Sequence, residues 1–330
     1  MTQRLTDAWY KRRLWLWLLW PLSVLYRVVT IVHRGLFLVG LKRVRRFPAP
    51  VVVIGNITVG GTGKTPLTLA LIAKLREAGF KPGVVSRGYG GKAEYPSRVS
   101  EQSRAEEVGD EPLLLALRSG APVVVDPVRP RAVEKLLADT DCDVVLSDDG
   151  LQHYALARDI EICVIDGQRG LGNRLLLPAG PLREPASRLD SVEYIVGNGG
   201  NAGIHGAHTM RLHADTWQPV GEVGESVVVV PKSPARIHAV AGIGNPQRFF
   251  AMLRQQGFDV VEHPFPDHHA YNVAELHFRD ELPVVMTEKD AVKCRGLGLS
   301  NAWYVPVTAD VPEQFYAALI NDLRRLRIKR

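Results

Sequence analysis

A glycine-rich segment between an apolar strand and a helix constrains this chain more than any other feature. Residues 54–65 read Ile-Gly-Asn-Ile-Thr-Val-Gly-Gly-Thr-Gly-Lys-Thr, after a β-branched run at 51–55 and before a helical pattern at 67–78. Closely spaced glycines let backbone amides turn towards phosphate oxygens, and a helix N-terminus favours bound anions. Thr58 is the one misfit, because the P-loop pattern has its first glycine there. The segment predicts a P-loop that binds a nucleoside triphosphate.

The residue types after the glycines assign roles within this loop. Lys64 can reach the β and γ phosphates, and Thr65 offers a hydroxyl to Mg²⁺. The predicted nucleotide-binding residues are Thr58, Val59, Gly60, Gly61, Thr62, Gly63, Lys64 and Thr65. Guanine specificity would require Asn/Thr-Lys-x-Asp after a later strand. The nearest match is Thr-Glu-Lys-Asp at 287–290, where the lysine comes one place late. The absence of a correctly spaced guanine-recognition sequence favours ATP over GTP.

A pair of adjacent acids closes another apolar strand. Asp148 and Asp149 follow the run at 143–147 and precede Gly150. Adjacent carboxylates at a strand end repel each other unless a cation lies beside them. A solvated turn is the alternative explanation. With a P-loop upstream, the pair is expected to lie on the metal side of a nucleotide site.

Alternating strand and helix patterns predict an α/β fold. Strands are expected at 51–55, 83–86, 122–126, 144–147, 160–165 and 192–196, with helical spacing between them, as in βαβ units around a parallel sheet. A second βα series begins near 237, includes a strand at 304–307 and ends in a helix after Pro312. The predicted organisation is an N-terminal membrane-associating segment (1–46), a P-loop core (47–200), a β-ribbon linker (201–234) and a smaller α/β domain (235–330).

Three further places carry residues suited to acceptor chemistry. Asp110 and Glu111 begin a predicted helix, where they are either functional acids or first-turn helix residues. Arg183 lies in a proline- and glycine-rich loop, where it either meets a phosphate or belongs to a surface turn. Histidines 263, 268, 269 and 277 cluster in one stretch, and a loop presenting one functional histidine explains them more economically than a metal site.

The positive charge of the chain is confined to its N-terminus. The net charge is +6, but residues 1–46 alone hold ten Lys or Arg and one acid, a net charge of +9, which leaves −3 for the rest. A nucleic-acid binder would carry basic stripes throughout, so no nucleic-acid partner is expected. Three widely spaced cysteines without a Cys-x-x-Cys pair indicate reduced thiols in the cytosol.

The same N-terminal segment contains four of the six tryptophans and an uncharged run at 14–26. As a helix this run would cover about 20 Å, short of the hydrocarbon core of about 30 Å. Extension to residue 32 includes Pro21 and Arg27. No small-residue cleavage site follows, as a signal peptide would require. The composition favours interfacial binding to an anionic membrane, with a true span or an ordinary docked helix as alternatives. Deleting residues 1–30 is then expected to release the protein from anionic liposomes and spare the P-loop.

Eight motifs together resemble the tetraacyldisaccharide 4'-kinases of lipid A biosynthesis. They lie in family order across nearly the whole chain, and Thr58 is usual in this family. The motifs are Asn-Ile-Thr-Val-Gly-Gly-Thr-Gly-Lys-Thr-Pro at 56–66, Ser-Arg-Gly-Tyr-Gly at 86–90, Gly-Asp-Glu-Pro at 109–112, Asp-Asp-Gly-Leu-Gln-His at 148–153, Gly-Pro-Leu-Arg-Glu at 180–184, Gly-Ile-Gly-Asn-Pro at 242–246, Asp-His-His-Ala-Tyr at 267–271 and Thr-Glu-Lys-Asp-Ala-Val-Lys at 287–293.

The resemblance implies an ATP- and Mg²⁺-dependent kinase acting on the 4'-hydroxyl of an acylated disaccharide 1-phosphate. It implies catalytic roles for Lys64, Arg183 and an acid–histidine pair that falls on Asp110 and His268, with His269 as the alternative histidine. Weaker assignments fall on Tyr89 and Gln152. The implied metal ligands are Thr65, Asp148, Asp149 and Glu111. The resemblance also places the enzyme at the cytoplasmic face of the bacterial inner membrane, peripheral or monotopic, without an obligate protein partner. A membrane-recruited P-loop ATPase or switch and a soluble P-loop synthetase or small-molecule kinase are the alternatives.

Overall fold

The computed structural model describes residues 3–11, 13–221 and 230–328, which form two β-sheets with helices. The strands are β1 (Val51–Gly55), β2 (Pro82–Ser86), β3 (Ser97–Arg98), β4 (Val123–Val125), β5 (Val144–Asp148), β6 (Ile160–Asp166), β7 (Tyr194–Asn198), β8 (His208–Ala214), β9 (Gln218–Pro219), β10 (Arg236–Ala241), β11 (Asp259–Pro264), β12 (Val284–Thr287), β13 (Ala302–Val305) and β14 (Val307–Asp310). The α-helices are α1 (Gln3–Tyr10), α2 (Trp20–Leu38), α3 (Lys64–Glu77), α4 (Ala105–Val108), α5 (Asp110–Ser119), α6 (Arg129–Asp139), α7 (Pro246–Gln255), α8 (Val273–Leu276), α9 (Glu288–Ala291) and α10 (Glu313–Ile328).

The larger sheet has nine strands in the order β14-β8-β7-β6-β1-β5-β2-β4-β3. Pairing is parallel from β8 to β4, and the two edge strands β14 and β3 pair antiparallel. Strands β1, β2, β4, β5 and β6 are buried along their whole length. Continuous Val- and Ile-rich runs are typical of parallel strands covered by helices on both faces. We call this sheet with its helices the large lobe.

Alternate residues of the central strands pack against different helices. On one face Val52 and Ile54 of β1 lie in a core that contains Leu71 of α3 and Phe315 of α10. On the other face Val51 and Val53 of β1 share a core with residues of α6. The predicted parallel α/β core is confirmed, and each of the six strands predicted between residues 51 and 196 agrees with an observed one to within two residues at either end.

In the described part of the chain, the smaller sheet has five strands in the order β11-β10-β12-β13-β9. The first four pair in parallel and β9 pairs antiparallel with β13. Phe249, Phe250 and Leu253 of α7 pack against Ile237 and Ala239 of β10. The predicted second α/β unit is therefore present. We call it the small lobe.

The chain passes between the two sheets at places that the sequence analysis did not predict. Within the predicted ribbon 201–234, β8 joins the larger sheet and β9 the smaller, while residues 222–229 lie outside the described part of the chain. A strand expected at 304–307 is two strands in different sheets, separated by Pro306, which has no N–H for a ladder. The helix α10 then packs on the large lobe. The predicted ranges 201–234 and 235–330 therefore do not coincide with the sheets.

The N-terminal segment, residues 3–11 and 13–46, forms helix α1, a 3₁₀ turn (Leu14–Leu19) and helix α2. Residues 14–38 are long and apolar enough to cross a membrane, by length and composition. One face of this stretch packs on the protein through Leu16 and Ser23, which are buried. Many apolar side chains of this stretch are exposed: Trp15, Trp17, Leu18, Trp20, Leu22, Leu25, Val28, Val29, Ile31 and Val32.

The tryptophans of this segment do not share one environment. The side chains of Trp15, Trp17 and Trp20 are exposed, as membrane-interface residues would be, whereas Trp9 is completely buried. The indole N–H of Trp9 donates to the carbonyl of Pro178 at 3.0 Å. Trp9 is therefore a packing residue, because a buried indole needs both apolar neighbours and a hydrogen-bond acceptor.

Candidate active site

The glycine-rich loop connects the end of β1 to the first residue of α3, Lys64. Gly60 and Gly63 adopt φ values of +112° and +95°, which side-chain-bearing residues rarely tolerate. A Cβ on Gly63 would also lie 2.5 Å from the side-chain nitrogen Nδ2 of Asn198. Thr58 instead pairs in an antiparallel bridge with Leu182. An extended residue has no need for glycine, which is why Thr58 fits where the P-loop pattern has one.

Two cations converge on Asp149 at the end of β5. Lys64 Nζ lies 3.4 Å from Asp149 Oδ1, and an Arg183 guanidinium nitrogen lies 3.2 Å from Oδ2. Burial alone would raise the pKa of Asp149, but the charges of Lys64 and Arg183 outweigh it and hold this pKa well below its usual range. Asp149 is thus paired with both of the cations that the sequence predicts for phosphate binding.

Asp148, the preceding residue, has a different environment. It is buried, and its Oδ1 has no hydrogen-bond partner among the described residues. The hydroxyl of Ser86 donates to Oδ2 at 3.4 Å. Burial raises the pKa of Asp148, and the negative charges of Glu111 and Asp149 raise it further. A buried carboxylate oxygen that lacks a partner suits a divalent cation, which would remove this electrostatic cost.

The structure does not gather the predicted metal ligands into a cage. Within residues 3–11, 13–221 and 230–328, no group of three or more His, Cys, Asp or Glu side chains is placed to hold a metal ion. Glu111 accepts a hydrogen bond from Lys289 at 3.0 Å, and Asp149 is paired as described above. Mg²⁺ in phosphoryl-transfer sites is usually held by one or two carboxylates together with substrate phosphates. Asp148 fits that arrangement without a cage.

Asp110 and His268 come together from different lobes. Nδ1 of His268 donates to Asp110 Oδ2 at 3.0 Å. Asp110 is the first residue of α5 and is buried, and His268 lies after β11 with a φ of +62°. The ring of Tyr89 lies 4.8 Å from the His268 ring. The structure therefore brings the two residues of the predicted acid–histidine pair into contact.

The pair is held in its charged form. Burial would raise the pKa of Asp110, but the hydrogen bond from His268 and the charge of Lys289 lower it overall. Burial lowers the pKa of His268, but the hydrogen bond to Asp110 reverses this and raises it overall.

The two adjacent histidines have different contacts in the structure. His269 Nε2 lies 3.2 Å from Glu275, and its ring packs against Phe265.

Lys289 belongs to this site and was missed by sequence reasoning. Its Nζ lies 3.0 Å from Glu111, 3.1 Å from Asp267 and 3.9 Å from Asp110. Burial lowers the pKa of Lys289, but these carboxylates outweigh it and raise the pKa overall. Residues 287–293 were considered for guanine recognition and as a motif of family resemblance, but no role in the site was predicted for Lys289. Helix α9 begins within this motif, because the side chain of Thr287 accepts from the amide of Asp290.

The small lobe also contacts the P-loop directly. A Cβ on Gly244 would lie 2.8 Å from the amide nitrogen of Gly61 and 3.6 Å from a carboxylate oxygen of Asp267. Arg248 donates to Asn198 Oδ1 at 2.9 Å, and Asn198 Nδ2 donates to the carbonyl of Thr62 at 3.1 Å. The acid–histidine pair therefore spans the same junction between lobes at which the small lobe meets the phosphate loop.

Two weaker assignments from the sequence are also placed. Gln152 donates to the backbone carbonyl of Asn56 at 3.1 Å and to Glu184 at 2.7 Å, so it supports the start of the P-loop. Tyr89 is mostly exposed beside His268.

Phosphate-binding amides, two nearby cations and a charged acid–histidine pair across a lobe junction suit transfer of a phosphoryl group to an acceptor. By fold and site, this is a P-loop kinase.

Comparison with known proteins identifies the family. Residues 15–324 match the family model described as LpxK, tetraacyldisaccharide-1-P 4'-kinase. The chain is 48% identical over 330 residues to a tetraacyldisaccharide 4'-kinase from Hahella chejuensis, covering 96% of each chain, and 49% identical over 327 residues to one from Pseudomonas syringae pv. tomato, covering 99% of each. A crystal structure of LpxK from Aquifex aeolicus in complex with ATP aligns with a TM-score of 0.77 and 26% identity, covering 94% of this chain and 99% of that one. The chain belongs to the tetraacyldisaccharide 4'-kinase family.

Proposed function

We propose that this chain transfers the γ-phosphoryl group of ATP to the 4'-hydroxyl of a tetraacyldisaccharide 1-phosphate, giving the 1,4'-bisphosphate of the lipid A pathway. The observation that carries the proposal is the Asp110–His268 pair, which spans the lobe junction where Gly244 of the small lobe approaches Gly61 of the P-loop. Family membership agrees with this activity, and the relative from Aquifex aeolicus binds ATP. A nucleotide switch would have no use for a charged acid–histidine pair at this junction.

The P-loop and its two cations would bind the nucleotide. Backbone amides of residues 60–65 would surround the phosphates, as glycine-rich loops before a helix do, while the amide of Val59 donates to the carbonyl of Pro181. Lys64 and Arg183 would exchange Asp149 for phosphate oxygens, because both already lie within salt-bridge distance of a carboxylate at this place. Arg183 would then stabilise the charge on the transferred group.

Asp110 would act as the general base. Its lowered pKa keeps the carboxylate ionised, and one oxygen can accept the proton of the 4'-hydroxyl as the new P–O bond forms and ADP leaves. His268 holds this carboxylate in place through Nδ1. Catalysis by a base whose pKa is low depends on orientation, since the proton-transfer driving force is small.

The residues at the end of β5 fit Mg²⁺. The partnerless oxygen of buried Asp148 would hold the ion, with Thr65, Glu111 and Asp149 as the further candidate ligands. When bound, the ion would neutralise negative charge on the nucleotide phosphates. The cation would also offset the repulsion from Glu111 and Asp149, which disfavours the ionised form of buried Asp148.

The N-terminal segment would bring the enzyme to its lipid substrate. Its exposed apolar face and its positive charge suit the surface of an anionic membrane. We propose a peripheral or monotopic location at the cytoplasmic face of the bacterial inner membrane, where ATP is available. The acylated disaccharide 1-phosphate and the membrane surface are the proposed partners, without nucleic acid or an obligate protein partner.

The proposal is tested by ATP turnover with and without the acylated disaccharide 1-phosphate. We expect ADP formation that depends on the lipid, with one phosphate added to the disaccharide by mass spectrometry. The matched control is the same lipid already phosphorylated at the 4' position, which should not support turnover. Turnover at the same rate without any lipid would instead favour the membrane-recruited ATPase.

Replacing Lys289 with methionine is expected to lower kcat about 10²-fold, because Glu111, Asp267 and Asp110 would lose their shared cation. Steady-state kinetics of the purified variant measures the effect. Lys289→Arg keeps the charge and should retain more activity than methionine. Lys135→Met, on an outer face of α6, is the control, and equal kcat for both methionine variants would show that Lys289 has no part in the reaction.

A further inference from the structure

We propose that the N-terminal segment also positions Arg183, so that Ser23 and Tyr26 are positioning residues for phosphoryl transfer. The inference concerns residues 173–183, which we call the Arg183 loop. It rests on the proposed role of Arg183 at the nucleotide phosphates. The contacts on both sides of this loop carry the argument.

On its outer side, the Arg183 loop is bound to helix α2. The hydroxyl of Ser23 donates to the carbonyl of Leu176 at 2.9 Å and accepts from the amide of Ala179 at 2.9 Å. The hydroxyl of Tyr26 donates to the carbonyl of Arg183 itself at 3.1 Å. Ser23 is 5% exposed, so the two backbone groups that it satisfies have little access to water.

Helix α1 contributes a second set of contacts. The buried indole of Trp9 donates to the carbonyl of Pro178 at 3.0 Å. Trp9, Ala8 and Leu16 form a small apolar core against which Val59 and Leu177 pack. Val59 belongs to the P-loop, so the N-terminal segment touches the phosphate loop as well as the Arg183 loop.

On its inner side, the Arg183 loop is bound to the backbone of the P-loop. The amide of Arg183 donates to the carbonyl of Ile57 at 2.7 Å, and the amide of Val59 donates to the carbonyl of Pro181 at 2.8 Å. The bridge between Thr58 and Leu182 lies between these two bonds. The loop is therefore a layer between the N-terminal segment and the phosphate site.

These contacts fix the backbone of Arg183 at both of its polar groups. Its amide is bound to the P-loop and its carbonyl to Tyr26, while its guanidinium reaches Asp149. An arginine whose backbone is held on both sides loses less conformational freedom when it meets a phosphate. Loss of the α2 contacts should therefore weaken the alignment of the guanidinium, even though the side chain itself is unchanged.

Different residues of helix α2 suit membrane binding and contact the Arg183 loop. The apolar face that suits a membrane includes Leu22, Leu25 and Val29, whereas Ser23 and Tyr26 face the Arg183 loop. The expectation that residues 1–30 can be deleted without affecting the P-loop is not supported, because Trp9 and Leu16 pack with Val59. A simple membrane anchor would make no such contacts.

The test measures kcat, KM and vesicle binding of the full-length enzyme with Ser23→Ala and Tyr26→Phe. Each change deletes a hydroxyl, and Thr30→Ala is the matched control, since its hydroxyl bonds only within α2 at an exposed site. We expect kcat to fall about 10-fold for Ser23→Ala and about 5-fold for Tyr26→Phe, as loss of hydrogen bonds predicts. Binding to vesicles of phosphatidylethanolamine and phosphatidylglycerol should be unchanged in all three.

The decisive measurement combines each change with Arg183→Ala. If Ser23 and Tyr26 act through Arg183, they should lower kcat little further in the Arg183→Ala enzyme, whereas a general loss of structure would lower it by the same factor again. Tyr26→Phe keeps the cycle informative if Ser23→Ala fails to fold. Wild-type kcat for both hydroxyl deletions, or full additivity with Arg183→Ala, would overturn the inference. Wild-type kcat for Arg183→Ala alone would instead refute the proposed role of Arg183, and the inference with it.

Discussion

Replacing Asp110 with asparagine is expected to lower kcat by about 10²–10⁴-fold, the usual contribution of a general base, while the enzyme still binds ATP. Asparagine preserves the shape of the side chain but cannot accept the hydroxyl proton. The P-loop residues are unchanged, so the Kd for a non-hydrolysable ATP analogue should remain within about threefold of wild type. Steady-state turnover and titration calorimetry measure the two quantities separately.

The neighbouring histidines provide a matched control for this prediction. His268→Gln is expected to lower kcat substantially, because its Nδ1 holds the Asp110 carboxylate. His269→Gln changes the adjacent residue, which contacts Glu275 instead, and should stay close to wild type. If Asp110→Asn or His268→Gln turned over lipid at the rate of His269→Gln, the acceptor site would lie elsewhere.

Replacing Asp148 with asparagine is expected to lower kcat by about 10³-fold and to raise the Tm of the metal-free protein. The loss of activity follows from removing the proposed Mg²⁺ ligand, since metal ions contribute several kcal/mol to transition-state stabilisation. The gain in stability follows because a buried carboxylate beside Glu111 and Asp149 loses its charge. We expect a rise in Tm of about 2–4 °C, in line with about 1 kcal/mol for a chain of this size.

Differential scanning fluorimetry in EDTA and in excess Mg²⁺ distinguishes loss of a metal ligand from a general loss of stability in Asp148→Asn. Wild-type protein with nucleotide should gain stability from Mg²⁺, and Asp148→Asn should gain much less. Asp141→Asn is the control, because this carboxylate is exposed just before β5 and is paired with Lys81. A lower Tm for Asp148→Asn in EDTA would mean that the carboxylate stabilises the ligand-free protein, contrary to its lack of a partner at Oδ1.

Much of the fold was predictable because its signals are local. The Val- and Ile-rich runs predicted the central strands of the larger sheet, and the glycines and Lys64 predicted the loop between β1 and α3. Pro306 shows the limit of this approach. A single strand was expected around it, yet β13 and β14 belong to different sheets, and no local pattern states which sheet a short strand will join.

The candidate site shows the same limit. Family resemblance identified Asp110 and His268, but residue types alone left His268 and His269 equivalent, and only the contact with Asp110 separates them. Lys289 was overlooked because its three carboxylate partners are distant in sequence. The sequence around a lysine in a polar motif does not indicate burial, because the elements that bury it come from distant parts of the chain.

The sequence by itself determined the α/β class, the P-loop, the family and a basic, tryptophan-rich N-terminus, since each depends on residues that are close in the chain. The tertiary structure decided which groups meet across the chain. It placed Trp9 in a core beside Val59, bound Tyr26 to the carbonyl of Arg183 and brought His268 to Asp110. The physical reason is that burial and hydrogen-bond partners are set by packing between distant segments. The N-terminal segment, which composition alone suggests is a membrane anchor, also packs against the P-loop at Val59 and hydrogen-bonds the loop that carries Arg183.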